Sequence, residues 1–321
     1  MHLSEGILSL KQSVVTSSLA FPFVYNGFRK YQKSVKSMVL EEKKPLATMV
    51  FAACFAVTLL PIPVPIVGAS SHMCATPLLA ILFGPSMMAF PIFGVLLLHA
   101  IFFAHGGITT LGANILTLGV IGPWATWFIF SLLSRLKLKG EKSIGLACFL
   151  GSISVYFADT MILSWALADK QYFWKTFGSV CLGFLPVQGP LSILEAVLSS
   201  TILVYLAKYR YGFLNTSLFT LLQNKEQKTK FCSNAPVSLL LIFMFIGISH
   251  IAFGFEGIDD AVFTKTAELA GVESWSIIPQ AQGELELFIF SVGFFVAGFF
   301  LGSSWEKVRF VWFKGESGRA S

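Results

Sequence analysis

The first two residues carry the sharpest chemical signal in this chain. An uncapped Met1 supplies an amine nitrogen, the peptide that follows supplies an amide nitrogen, and His2 adds an imidazole. Amine and amide close a five-membered ring on a metal, and the amide with the nearer imidazole nitrogen closes a six-membered one. Three adjacent nitrogens in a plane, with one corner open, suit a square-planar or tetragonal divalent ion. A further neutral imidazole would fill that corner. The other histidines are His72, His99, His105 and His250, of which His72 is the best placed. Taken singly, each of these reads more readily as a satisfied core or interfacial histidine; His2 differs because of the chelate. Cys74 lies two residues from His72. On a helix that separation is about 200° of rotation, so Cys74 reads as a packing residue.

Few other polar groups stand in apolar surroundings. Asp159 and Glu195 are isolated acids; each would relay protons or bind cations, or else face a neighbouring helix or partner subunit. Asn114 and Gln188 follow glycine- or proline-containing segments, and His105 opens the run that leads to Asn114. Any of these three is placed to hydrogen-bond the second nitrogen of a ligating ring and so fix its tautomer. There is no glycine-rich phosphate loop, no His-Glu-x-x-His and no Gly-x-Ser-x-Gly, so the chain is not expected to be an enzyme or to hydrolyse ATP itself.

What must position these residues follows from composition. Of the 321 residues, 55% are hydrophobic and only 12% charged, against roughly 25% charged in a soluble domain. The apolar residues come in runs of about twenty, the length of a membrane-spanning helix. The fold class expected is an all-α polytopic membrane protein. The net charge of +6 would allow a nucleic-acid partner, but 19 of the 23 Lys and Arg fall in four segments, at 29–44, 135–142, 208–230 and 307–319. Nucleic-acid binding wants basic residues gathered on one accessible face. Separated by apolar runs, these segments mark cytoplasmic loops instead.

Holding those segments inside predicts spans near 7–28, 46–66, 71–83, 86–104, 110–133, 144–167 and 183–207, with the amino end outside. Gly84-Pro85 divides the third from the fourth. Residues 208–234 are polar and basic. Two more spans follow near 237–253 and 285–301, separated by an outer loop holding one Lys against five acids. The start Met1-His2-Leu3-Ser4-Glu5-Gly6 is acidic where a secretory signal would be basic, so it is expected to persist. The five cysteines form no disulfide framework.

Several motifs resemble a known family. Met1-His2-Leu3-Ser4-Glu5-Gly6 is similar to the start of CbiM and NikM, the substrate-binding membrane subunits of energy-coupling-factor transporters for cobalt and nickel. His72-Met73-Cys74-Ala75-Thr76-Pro77 resembles their His-x-Cys-Gly-Thr helix start, and the run from His105 through Gly106-Gly107-Ile108-Thr109-Thr110-Leu111-Gly112-Ala113 to Asn114 matches nearly residue for residue. Gln188-Gly189-Pro190 with Glu195 resembles their Gln-x-Pro…Glu-Gly segment. Residues 235–305 more loosely resemble CbiN, a companion with two spans and an outer loop. Ala75 and Ala196 stand where the family has glycine, and a methyl at Ala75 is expected to crowd the approach of the amino-terminal segment.

The resemblance implies a CbiM-like domain of about seven helices over 1–210, a cytoplasmic linker at 211–234, a CbiN-like two-helix module at 235–305 and a cytoplasmic tail at 306–321. It implies a prokaryotic plasma (inner) membrane protein, in contact with lipid and with no nucleic-acid partner. The transported ion would be Co2+, with Ni2+ second, held by Met1, His2 and His72, with no tightly bound cofactor and uptake feeding cobalamin biosynthesis. A transmembrane coupling subunit and two ATPase subunits would be the partners. The rival readings are a secondary transporter or channel built on Asp159 or Glu195, and a haem carrier built on His99, His105 and His250.

Overall fold

The computed structural model describes residues 2–37, 51–52, 54–55, 58, 62–64, 69–103, 105–136, 138, 140–168 and 172–208. Met1, most of the span expected at 46–66, the linker, the CbiN-like module with His250 and the tail lie outside the described residues.

The described chain is an all-α membrane fold. Helix α1 runs Leu10–Ser37, α2 Thr76–Phe83, α3 Ala89–Phe102, α4 Leu111–Arg135, α5 Gly140–Leu167 and α6 Phe173–Lys208. Phe51, Ala52, Cys54, Phe55 and Thr58 are also helical. A three-residue antiparallel ladder, β1 Ile62–Val64 with β2 Ala69–Ser71, pairs Ile62 with Ser71 and leads into α2. Among the described residues, three helical stretches are long and apolar enough to cross a bilayer: Leu111–Arg135, Lys142–Leu167 and Phe173–Leu203. Their outward residues include Phe128 at 68% and Leu182 at 69% exposure. Apolar side chains that would aggregate in water face lipid at no cost.

Three expectations change. Helix α1 starts at Leu10 rather than near residue 7, because residues 2–8 are buried in non-helical form. Ser9 and Gln12 cap it reciprocally: Ser9 N donates to Gln12 Oε1 at 2.9 Å, and Gln12 N to Ser9 Oγ at 3.4 Å. The two spans expected at 71–83 and 86–104 are short helices of 8 and 14 residues. At 1.5 Å per residue they reach about 12 and 21 Å, less than the roughly 30 Å of a hydrocarbon core. Gly84, at φ 84°, and a 3-10 turn over Pro85–Met87 join them. The span expected from 183 begins at Phe173 and carries Pro186 and Pro190 within it.

Close packing is bought with small residues. A Cβ on Gly112 of α4 would collide with the Ser17 backbone of α1, so these two helices meet backbone to backbone there. Just beyond, α4 widens into a π-helical turn over Ile115–Ile121. The main core joins Leu3 and Leu8 of the amino-terminal segment to Leu79, Met88, Leu118, Val155 and Leu163.

Candidate metal centre

Residues 2–8 enter the bundle as a buried, non-helical plug that turns at Glu5-Gly6, and Leu3 has no solvent exposure. A buried non-helical backbone needs partners for its N–H and C=O groups, and the 105–114 run supplies them. Leu3 N donates to Asn114 Oδ1 at 2.8 Å, while Asn114 Nδ2 and Thr110 Oγ1 donate to Leu3 O at 3.2 and 2.7 Å. Gly6 N donates to Thr109 Oγ1 at 3.1 Å, and Thr109 N to Glu5 Oε2 at 3.0 Å. Gly106 takes φ +77°, and a Cβ on Gly107 would collide with the Glu5 side chain. The two glycines therefore let the loop press onto the plug.

This seating brings four imidazoles together. The His2 ring lies 4.3 Å from His72, 4.4 Å from His105 and 5.6 Å from His99, centroid to centroid. His99 and His105 are 5.6 Å apart. Thus α2, which begins just after His72, and α3, which ends just before His105, start and finish at one place. The stretch between them leaves the histidine cluster and returns to it.

One possible ligand nitrogen from each of His2, His72 and His105 lies within 4.8 Å of the others. His72 Nδ1 is 2.8 Å from the Met73 carbonyl; donation there leaves Nε2 as the lone-pair nitrogen, buried and without a hydrogen-bond partner. His2 Nδ1 is 2.8 Å from His105 Nε2, which is also 3.1 Å from the Thr58 carbonyl. Both contacts converge on one nitrogen, His105 Nε2. Burial first, then the rings of His72 and His105, hold the His2 imidazole well below the ordinary histidine range. His2 is consequently neutral at pH 7, the form a metal requires.

The remaining candidates are distributed around this cluster. His105, read from sequence as a support, touches His2 directly. Asn114 bonds the peptide groups of Leu3, not an imidazole nitrogen. Gln188 is 2% exposed on α6, and both its side-chain polar atoms lack partners. Met1 lies outside the described residues. Sequence reasoning gave His99 a role only in the rival haem reading and none beside His2; its signal was a position six residues before His105, at the end of an apolar run.

Glu195 sits behind the His72 loop. Its Oε2 accepts from Ser152 Oγ at 2.8 Å and from Cys74 N at 3.4 Å. Cys74 is fully buried in the apolar core, as expected for a packing residue. Asp159 is fully buried, with the Thr117 hydroxyl beside its carboxylate. Ala75 adopts φ 53°, the only non-glycine residue with positive φ among those described. The backbone conformation therefore explains why glycine suits that position. Ala196 packs beside Ile81, Leu82 and Cys148.

Residues 2–213 match the family described as "Cobalt uptake substrate-specific transmembrane region". The chain belongs to the CbiM family. Among CbiM relatives, one from Geobacter sulfurreducens is 31% identical over 315 residues, covering 96% of this chain and 90% of that protein. One from Sorangium cellulosum is 33% identical, covering 67% of this chain and 95% of its own length. Both are named cobalt transport protein CbiM. The fold is also that of a truncated transition metal transporter of known crystal structure, with a TM-score of 0.56 at 23% identity, covering 66% of this chain and all of that one.

Proposed function

We propose that this chain captures Co2+, with Ni2+ second, as the metal-binding membrane subunit of an ATP-driven energy-coupling-factor importer. The observation that carries the reading is the burial of His2 against His72, with a free nitrogen on His72. Met1 amine, His2 amide, His2 Nδ1 and His72 Nε2 would make a four-nitrogen set for a divalent ion. The shared name of the CbiM relatives supports cobalt. ATP hydrolysis falls to two partner ATPase subunits, coupled through a separate transmembrane subunit.

In this reading residues 1–210 hold the ion, with the amino terminus outside. Residues 211–234 form a cytoplasmic linker and 235–305 a CbiN-like companion that loads or gates the site, leaving a cytoplasmic tail at 306–321. The family match ends at residue 213, yet the Geobacter relative aligns across 96% of the chain. That longer match supports the two modules working as one polypeptide.

The test is metal analysis of the purified full chain with a native amino terminus, cobalt and nickel competing. One equivalent of bound Co2+, lost when a single residue is added before Met1, is the expected result. Undiminished binding by the extended chain would refute the chelate, because the extension removes the free amine.

A further inference from the structure

His2 has two ring nitrogens, and the chelate uses only one. With Nδ1 spent on the ion, the ring proton resides on Nε2. That nitrogen is fully buried and has no hydrogen-bond partner. A buried N–H without an acceptor costs about 1–3 kcal/mol. Metal-bound histidines usually donate this second N–H to a fixed acceptor, which sets the ring plane and raises the basicity of the ligating nitrogen.

The neighbouring rings narrow the choice. His72 gives Nδ1 to the Met73 carbonyl, and its Nε2 faces the ion in the reading above. His105 presents Nε2 to His2 Nδ1, the other edge of the ring. His99 remains. Its ring is fully buried. The Phe55 carbonyl lies beside it and takes the proton of one ring nitrogen, which leaves the other with a lone pair and no partner; the rings of Phe55 and Phe103 flank His99 at 4.6 and 6.2 Å. An apolar side chain would fill such a pocket without burying an unpaired acceptor. The His2 and His99 rings are 5.6 Å apart and near perpendicular, at 80°. Two imidazoles sharing one hydrogen bond of about 2.9 Å need nearly this separation.

We propose that His99 is a positioning residue that accepts a hydrogen bond from His2 Nε2–H when the ion is held, fixing the chelating ring. This rests on the chelate reading above. Glutamine also presents an acceptor at the end of a side chain of similar reach, whereas phenylalanine keeps the ring shape and removes the acceptor.

The experiment is Co2+ calorimetry on the full chain with a native amino terminus, comparing wild type, His99→Gln, His99→Phe and His72→Ala. His99→Gln should bind within about threefold of wild type, and His99→Phe about 10–100-fold more weakly. His99→Phe binding as tightly as wild type, or His99→Gln binding as weakly as His99→Phe, would overturn the role of His99 and leave the chelate standing. Absent Co2+ binding by wild type, or undiminished binding by His72→Ala, would overturn the chelate and this inference with it. Should His99→Phe not fold, the wild type decides. Labelled with 15N-histidine and loaded with diamagnetic Zn2+, it should show a slowly exchanging imidazole N–H coupled to a nitrogen of a second ring. Absence of that coupling would overturn the proposal.

Discussion

The side-chain amide of Asn114 pairs with both main-chain groups of Leu3, accepting from its N–H at 2.8 Å and donating to its carbonyl at 3.2 Å. It does for one residue what a neighbouring strand would do, and so fixes where His2 hangs. Replacing Asn114 with Leu leaves a buried N–H without its acceptor, a loss of about 1–3 kcal/mol. The expected outcome is a lower melting temperature in detergent together with weakened Co2+ binding. Asn114→Asp keeps the acceptor and loses the donor, and should fall between the two.

His72 is expected to act on binding rather than on folding. Its Nε2 makes no hydrogen bond within the protein, so His72→Ala sacrifices only the bond from Nδ1 to the Met73 carbonyl and some packing. Metal analysis of the purified variant should show bound cobalt reduced at least tenfold, with melting of the metal-free protein shifted by only a few degrees. Unchanged stoichiometry would make His72 structural.

Ala75 offers a gain of stability. Its φ of 53° is left-handed, which costs an L-residue with a Cβ roughly 1–2 kcal/mol. Ala75→Gly removes that cost but frees the unfolded chain, returning part of the benefit. A net stabilisation of about 0.5–1 kcal/mol is expected, read as a higher melting temperature.

Acid should destabilise the metal-free protein through His2. Its folded pKa is held well below the ordinary value by burial and then by its histidine neighbours, whereas the unfolded chain takes up a proton near pH 6.5. Below that pH the unfolded state binds the extra proton, so stability falls as pH drops. Melting temperatures measured between about pH 7.5 and 5 should decline, and should decline less in a His2→Gln variant.

The meeting of His2 with His72 was legible in the sequence, because the chelate proposed at Met1 and His2 follows from covalent connectivity and asks for one more imidazole. The apolar runs that became α4, α5 and α6 were equally plain, since length and composition decide a membrane span. Other features depend on contacts between distant residues. Nothing local to Asn114 shows that its partner is Leu3, 111 residues away, and nothing near His99 shows that it ends beside His2. The break at Gly84-Pro85 was visible, but not that the helices on either side stop short of a membrane's width. The glycine preference at Ala75 was read as a matter of space, because φ leaves no trace in composition.

The bond from Cys74 N to Glu195 Oε2 reaches beyond local tethering. Glu195 also takes Ser152, so the loop that carries His72 is tied to α5 and α6 together. His2, in contrast, is tied to the run between α3 and α4 through Leu3 and Asn114. His72 and His2 are therefore held by different anchors. The gap between these two rings is thus set by two separate tethers, and a change in either one would be felt at the other as a change in reach.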